Sequence, residues 1–214
     1  MLRTQEELSP DFLSGLLNQG VVTGLAHRAE AGIAERLARF GLESDELTGS
    51  LIVEANVDVD LSSDNTSAIA PILMRTDSVD EFKSWVGTND IEFSSNPALA
   101  GYWQMPEKPW SGRRVTDPQQ LTDSERREIE KAGWAYIFGD ARTVASYRSV
   151  IELLSAPFEA AVYAARKVTI RPGGRLIVTG VPAILLFEEV EIFQNGKIVA
   201  YTTCHATFGK LEKI

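Results

Sequence analysis

One cysteine, two histidines and three methionines are all that 214 residues hold of these types. The single thiol, Cys204, excludes an intramolecular disulfide. One cysteine and two histidines cannot alone furnish the four N/S ligands of a structural zinc site. Positive charge is also short. Lys and Arg number 21 against 30 Asp and Glu, a formal net charge of −9. Nucleic-acid binders draw their affinity from clustered Lys and Arg on phosphates, so this balance argues against that class. It argues equally against docking on anionic lipid. Long apolar runs are missing. The longest, Val181–Phe187, is far short of the roughly 20 residues of a membrane span. No G-x-x-x-x-G-K-[ST] or G-x-G-x-x-G cradles a phosphate, and no G-x-S-x-G marks a nucleophile elbow. The expectation is therefore a protein with no cofactor. The opening MLRTQEELSPDF carries acids at positions 6, 7 and 11 instead of an apolar segment. This reads against a secretory signal and for the cytoplasm.

What is present suffices for a core: 44% of the residues are hydrophobic and 24% charged. The first forty residues read as a helical hairpin. Ser9 caps a helix that begins at Pro10, and a second helix runs from about Gly24 to Phe40 with Gly41 ending it. Residues 51–62 alternate Leu51, Val53, Ala55, Val57, Val59, Leu61 with polar partners, the period of one half-buried strand. A second strand is expected over 68–75, with Pro71 favouring an edge, and a short helix over 77–86. Residues 87–121 lack sustained periodicity and read as a long irregular segment, with a short strand near 91–93. Thr122 and Glu125 have capping-box spacing and predict a helix ending near Gly133. Further helices are expected from Asp140 to Leu154 and from Ser155 to about Arg166.

The strongest pattern lies at the end of the chain. VTIRPGGRLIV from Val168 recurs as VEIFQNGKIVA from Val190, an offset of 22 residues. One further offset places Ile214 under Ile192. Strands at this period separated by glycine turns predict stacked coils, with Gly174 and Gly196 at positive φ. The expected fold is thus α+β: an N-terminal helical hairpin, central helices and a short C-terminal β-solenoid or β-roll over 168–214. The alternative is an antiparallel β-sandwich with capping helices. The hairpin arm, 1–47, would precede a single α+β domain, 48–214. A bare strand edge at the C-terminus recruits other chains, which predicts a homo-oligomer.

Three groups of residues could carry chemistry. Glu54, Asn56, Asp58 and Asp60 would share one strand face with Asp64 just beyond. Asp58, Asp60 and Asp64 are candidate cation ligands, although same-face residues about 7 Å apart cannot all reach one ion. Asp58 and Asp60 are also candidate acid–base carboxylates. Cys204 and His205 are candidate catalytic residues, but as strand neighbours they point to opposite faces and cannot pair with each other. His27 could meet Cys204 only through a tertiary contact. Finally Tyr102, Trp103, Trp110, Arg113 and Arg114 crowd one loop. Trp, Tyr and Arg anchor interfaces and stack on planar ligands, and loops on rigid scaffolds carry binding. The leading expectation is an acidic assembly protein that self-associates through its C-terminal β coil. It would bind a protein partner or a small molecule through the 102–114 loop. The alternative is a small-molecule enzyme, a carboxylate acid–base isomerase, cyclase or hydrolase without a nucleotide cofactor.

Overall fold

The computed structural model describes residues 32–43, 47–64, 66–87, 90–91 and 105–214. Most of the expected hairpin, with His27, therefore lies outside the described residues, as do Tyr102 and Trp103. The chain divides into two compact units, one of residues 1–72 and 162–214, the other of residues 73–161.

The first unit begins, within the described residues, with helix α1 (32–39). Its apolar stripe is real, since Ile33 and Leu37 are buried. Gly41 ends it at φ 67. The Gly41 amide donates to Ala38 O and the Leu42 amide to Leu37 O, at 3.1 and 3.0 Å. These two bonds make a Schellman motif, for which glycine has no Cβ penalty.

Strands β1 (Thr48–Val53), β2 (Asp58–Leu61), β4 (Phe158–Ile170), β5 (Arg175–Val178), β6 (Ala183–Ile192), β7 (Lys197–Ala200) and β8 (Cys204–Lys213) follow; β3 (Ile72–Thr76) comes between β2 and β4 in the chain. They form two sheets, β1-β4-β6-β8 with β3 paired to β4, and β2-β5-β7. The expected single strand over 51–62 is broken in the middle. Asn56 turns at φ 57, and the Val57 amide closes the turn onto Glu54 O at 3.2 Å. The alternation of apolar residues is satisfied on both sides of that turn, with Val53 and Leu61 fully buried. Glu54 and Asn56 therefore leave the strand that carries Asp58 and Asp60.

The fold class differs from both expectations. β1 pairs with β4, β2 with β5, β5 with β7 and β6 with β8, all in parallel. Parallel registers overturn the antiparallel sandwich. Nor is the chain a solenoid; it is a mixed α/β protein with one five-stranded and one three-stranded sheet of parallel pairs. A winding coil needs each repeat to follow directly on the last. Here the whole second unit separates β1 and β2 from their ladder partners β4 and β5.

The 22-residue offset survives as strand register between β5 and β7 of the three-stranded sheet and is lost between β6 and β8 of the other. Arg175 lies opposite Lys197 and Val178 opposite Ala200. In the other, Ala183 lies opposite Cys204 and Ile192 opposite Lys213. The connection 201–203 is one residue shorter than 179–182, so the register slips by one. Ile214 consequently donates its amide to Ile192 O at 2.9 Å instead of lying opposite that residue. The turn geometry also sits one position earlier than expected. Gly173 (φ 70) and Asn195 (φ 60) are the left-handed residues, level with Asn56 in the stacked turns. Gly174 serves a different need: a Cβ there would lie 2.7 Å from Glu54 O. Phe187 faces Phe208 across β6 and β8, with rings stacked at 5.8 Å. Leu176, Val178, Ile184, Leu186 and Phe187 are all fully buried, each stabilising the fold by about 1.5–3 kcal/mol of apolar transfer.

Residues 158–166, expected as helix, are strand. The alanines of this run favour helix locally, but Ala160 to Ala165 are continuously buried. Burial on both faces belongs to an interior strand, and packing outweighs propensity.

Among its described residues the second unit holds most of β3, the helices α2 (Val79–Val86), α3 (Asp123–Phe138) and α4 (Arg148–Ser155), and 3-10 helices at Pro118–Gln120 and Ala141–Tyr147. Ser78 caps α2 by accepting from the Glu81 amide. The Thr122–Glu125 capping box forms as its spacing requires. Helix α3 runs past Gly133, where a Cβ would meet only Ile151 Cγ2 at 3.9 Å, to Phe138. The ammonium of Lys83 then fastens the helix end, donating to Tyr136 O at 2.6 Å and Gly139 O at 2.8 Å. A cation at a helix C-terminus meets carbonyls that have no helical partner. Phe82 stacks on Phe158 at 5.1 Å, and Val79, Ile129, Val144 and Ile151 complete this core. Residues 90–91 are helical; the rest of the strand expected near 91–93 lies outside the described residues.

Candidate functional site

The described part of the aromatic loop is held by both ends of its neighbours in the second unit. The Trp110 amide donates to Ser146 Oγ at 3.1 Å, and Tyr147 Oη donates to Lys108 O at 2.6 Å. The Glu107 amide donates to Glu128 Oε2 at 2.7 Å. The indole of Trp110 rests on Tyr147, ring centroids 5.8 Å apart, and its Nε1 donates to Arg113 O at 3.2 Å. The Arg113 guanidinium lies 5.9 Å from the indole centroid and reaches Glu125 Oε1 at 2.7 Å. Glu125 is held down to about 2, first by the Thr122 amide and then by Arg113. The capping box thus also positions the carboxylate that clamps the loop.

Between this loop and the Ala141–Tyr147 and α4 segments runs an open groove of about 480 Å³. Trp110, Val115 and Val150 give it apolar wall; Arg113, Arg114, Ser146 and Ser149 give it polar wall. Among the described residues no carboxylate lines it. Arg113 is occupied by Glu125, whereas Arg114 makes no hydrogen bond or ion pair among the described residues. Trp110 and Arg113, singled out in the sequence as anchors, therefore build the wall, and Arg114 is the lining cation without a partner among the described residues. The serines and Tyr147 carried no sequence signal, because nothing in the pattern of 140–150 sets them apart from ordinary helix surface.

The acidic candidates are elsewhere, in the first unit, and two of them, Asp58 and Asp64, are engaged. Asp58 receives both Arg175 Nε, at 2.6 Å, and a terminal nitrogen of the same guanidinium. That fork holds the Asp58 carboxyl below its usual range, which suits an ion pair and not a proton donor. Asp60 is exposed on the same strand. Asp64 Oδ1 accepts from Ser62 Oγ, Thr66 Oγ1 and the Thr66 amide at 2.6, 2.6 and 2.9 Å. These bonds bring its carboxyl to about 2 and spend its lone pairs on a turn.

Cys204 opens β8 opposite Ala183, and His205 lies opposite Ile184. Burial pushes the Cys204 thiol up to about 12, so the nucleophilic thiolate is suppressed at neutral pH. Its surroundings include the fully buried Tyr163, whose hydroxyl has no hydrogen-bond partner among the described residues and is likewise pushed up, to about 12, chiefly by burial.

The sequence reading also missed a group of three carboxylates. Oxygens of Glu189, Glu191 and Glu212 lie within 4.8 Å of one another. Lys167 meets Glu191 at 2.6 Å, and Lys210 meets Glu212 at 2.7 Å and Glu189 at 3.6 Å. The register that sets Glu191 opposite Glu212 creates the cluster, and two ammoniums from the same ladders answer it. No helix among the described residues is long and apolar enough to cross a membrane. Comparison of the chain with protein-family models, with curated proteins and with solved structures finds no match.

Proposed function

We propose that the protein is a binding protein that receives a ligand or partner at the Trp110 groove and self-associates through the open strands β7 and β8. The groove carries the first part. Its wall is fixed before any ligand arrives, because Trp110 and Arg113 are tied to Ser146, Tyr147 and Glu125. A preformed wall spares the ordering cost that weakens binding by loose loops. A volume of about 480 Å³ lies in the roughly 300–1,000 Å³ range of small-molecule sites.

The second part rests on strand order. β7 ends one sheet and β8 the other. Lys197 and Tyr201 donate their amides to β5, so the amides of Ile198 and Ala200 point away from it. Outward amides on an end strand are a template for another chain.

Native mass spectrometry of the purified chain tests both parts. A retained small-molecule adduct, lost when Ser149→Trp fills the groove from an exposed lining position, supports the groove. An oligomer that Ala200→Pro dissociates supports the edge, because proline there removes only an outward amide. A monomer free of adduct at every concentration refutes the reading.

A further inference from the structure

We infer that the groove binds a small organic anion, a carboxylate or phosphate group on a compact apolar body, with Arg114 as its ion-pair partner. This rests on the binding reading above and specifies its chemistry. Three observations lead to it. First, the charge of the groove opposes that of the chain. The protein carries −9 overall, yet two arginines and, among the described residues, no carboxylate line this surface. Second, the two arginines are not equivalent. Glu125 and Gln120 O take Arg113, while Arg114 has five donors and no partner among the described residues. A guanidinium with its fork unfilled fits a carboxylate or phosphate in two parallel bonds.

Third, hydroxyls stand beside it with protons to give. Ser146 Oγ accepts from the Trp110 amide, so its own O–H is left to donate outward. Ser149 has no hydrogen-bond partner among the described residues. Hydroxyl donors of this kind complete an anion's shell, and the two guanidinium charges lining the same groove repel a cation. Trp110, Val115 and Val150 supply the apolar remainder of the lining, and so select an anion with a hydrophobic body over a bare inorganic one.

The probes are phenyl phosphate, benzoate, inorganic phosphate and the neutral benzyl alcohol, titrated calorimetrically into the full chain, its Arg114→Gln variant and its Arg114→Lys variant. Arg114 is exposed, so neither substitution threatens folding. Expected is saturable binding of phenyl phosphate or benzoate, weaker binding of inorganic phosphate, and weakening of all three with salt. Arg114→Gln should raise the dissociation constant by about tenfold or more, with Arg114→Lys intermediate. Whichever of the two aromatic anions binds tighter names the head group. Unchanged anion affinity in Arg114→Gln overturns the inference. Equal affinity for benzyl alcohol overturns it too, while leaving a binding groove in place. If no probe binds and the purified chain also carries no adduct, the inference and the reading beneath it fall together.

Discussion

Replacing Lys83 by methionine tests whether one ammonium secures the C-terminal end of α3. The side chain is 13% exposed, and its nitrogen serves Tyr136 O, Gly139 O and, at 3.3 Å, Ile137 O, with Asp90 at 3.0 Å. Methionine keeps the apolar stem and removes only the charge and its donors. A hydrogen bond to a charged group contributes about 1.5–3 kcal/mol net. Two of the three carbonyl bonds are short, and desolvation of the ammonium offsets part of them, so the expected loss is about 3 kcal/mol. At this chain length that lowers the melting temperature by roughly 6–12 °C.

Urea denaturation followed by circular dichroism gives the free energy directly. Asp90→Asn is the control. It removes the ion pair but retains an oxygen for the Ala141 amide, which Asp90 accepts at 2.9 Å, and should cost about 1 kcal/mol or less. If Lys83→Met lies within about 0.5 kcal/mol of the parent, the helix end is satisfied by other groups and the capping argument fails. If Asp90→Asn costs as much as Lys83→Met, the ion pair and not the carbonyl cradle is the source of the stability.

Three further outcomes follow from the first unit. Cys204 should react with a disulfide reagent at pH 8 at least about a hundredfold more slowly in the folded chain than in urea, and equal rates would contradict its raised value. Asp64, folded near 2 against 3.8 as a free carboxyl, contributes stability that is complete above about pH 4 and lost as the pH falls toward 2. The gap in urea midpoint between wild type and Asp64→Asn should therefore be full at pH 6 and close across that interval; a gap independent of pH would refute it. At Asn195, held at φ 60, alanine should cost about 1 kcal/mol and glycine nothing. Equal effects of the two substitutions in urea melts would show that the left-handed turn is not what asparagine serves there.

Local chemistry was readable in the sequence wherever the decisive groups are neighbours in the chain. Thr122 and Glu125 sit three residues apart and cap each other; Gly41 follows the last turn of α1 and takes the left-handed conformation. The failures occur where a distant partner decides. Residues 160–165 are alanine-rich, and only burial on both sides makes them strand. Ala55 and Val57 continue the alternation of 51–62, yet the chain turns at Asn56 because β1 and β2 belong to different sheets. The repeat pointed to parallel neighbours at a fixed interval. It could not show that the partner of Asp58 is Arg175, on the far side of the second unit.

The same logic separates the two kinds of site residue. Composition drew the eye to Trp110 and Arg113, since large aromatics and arginine are what interfaces use. The structure employs them internally, because an indole and a guanidinium also have the most surface and the most donors with which to fasten a loop lacking regular hydrogen bonds. Once Glu125 takes Arg113, the adjacent Arg114 has no carboxylate left among the residues lining the groove. An arginine pair can therefore divide into one residue that shapes the wall and one whose guanidinium stays without a partner among the described residues. In this loop Glu125 makes the division, and its own position was set by the capping box of α3. Replacing Glu125 by glutamine should consequently loosen the wall and weaken groove binding, although Glu125 is not among the lining residues.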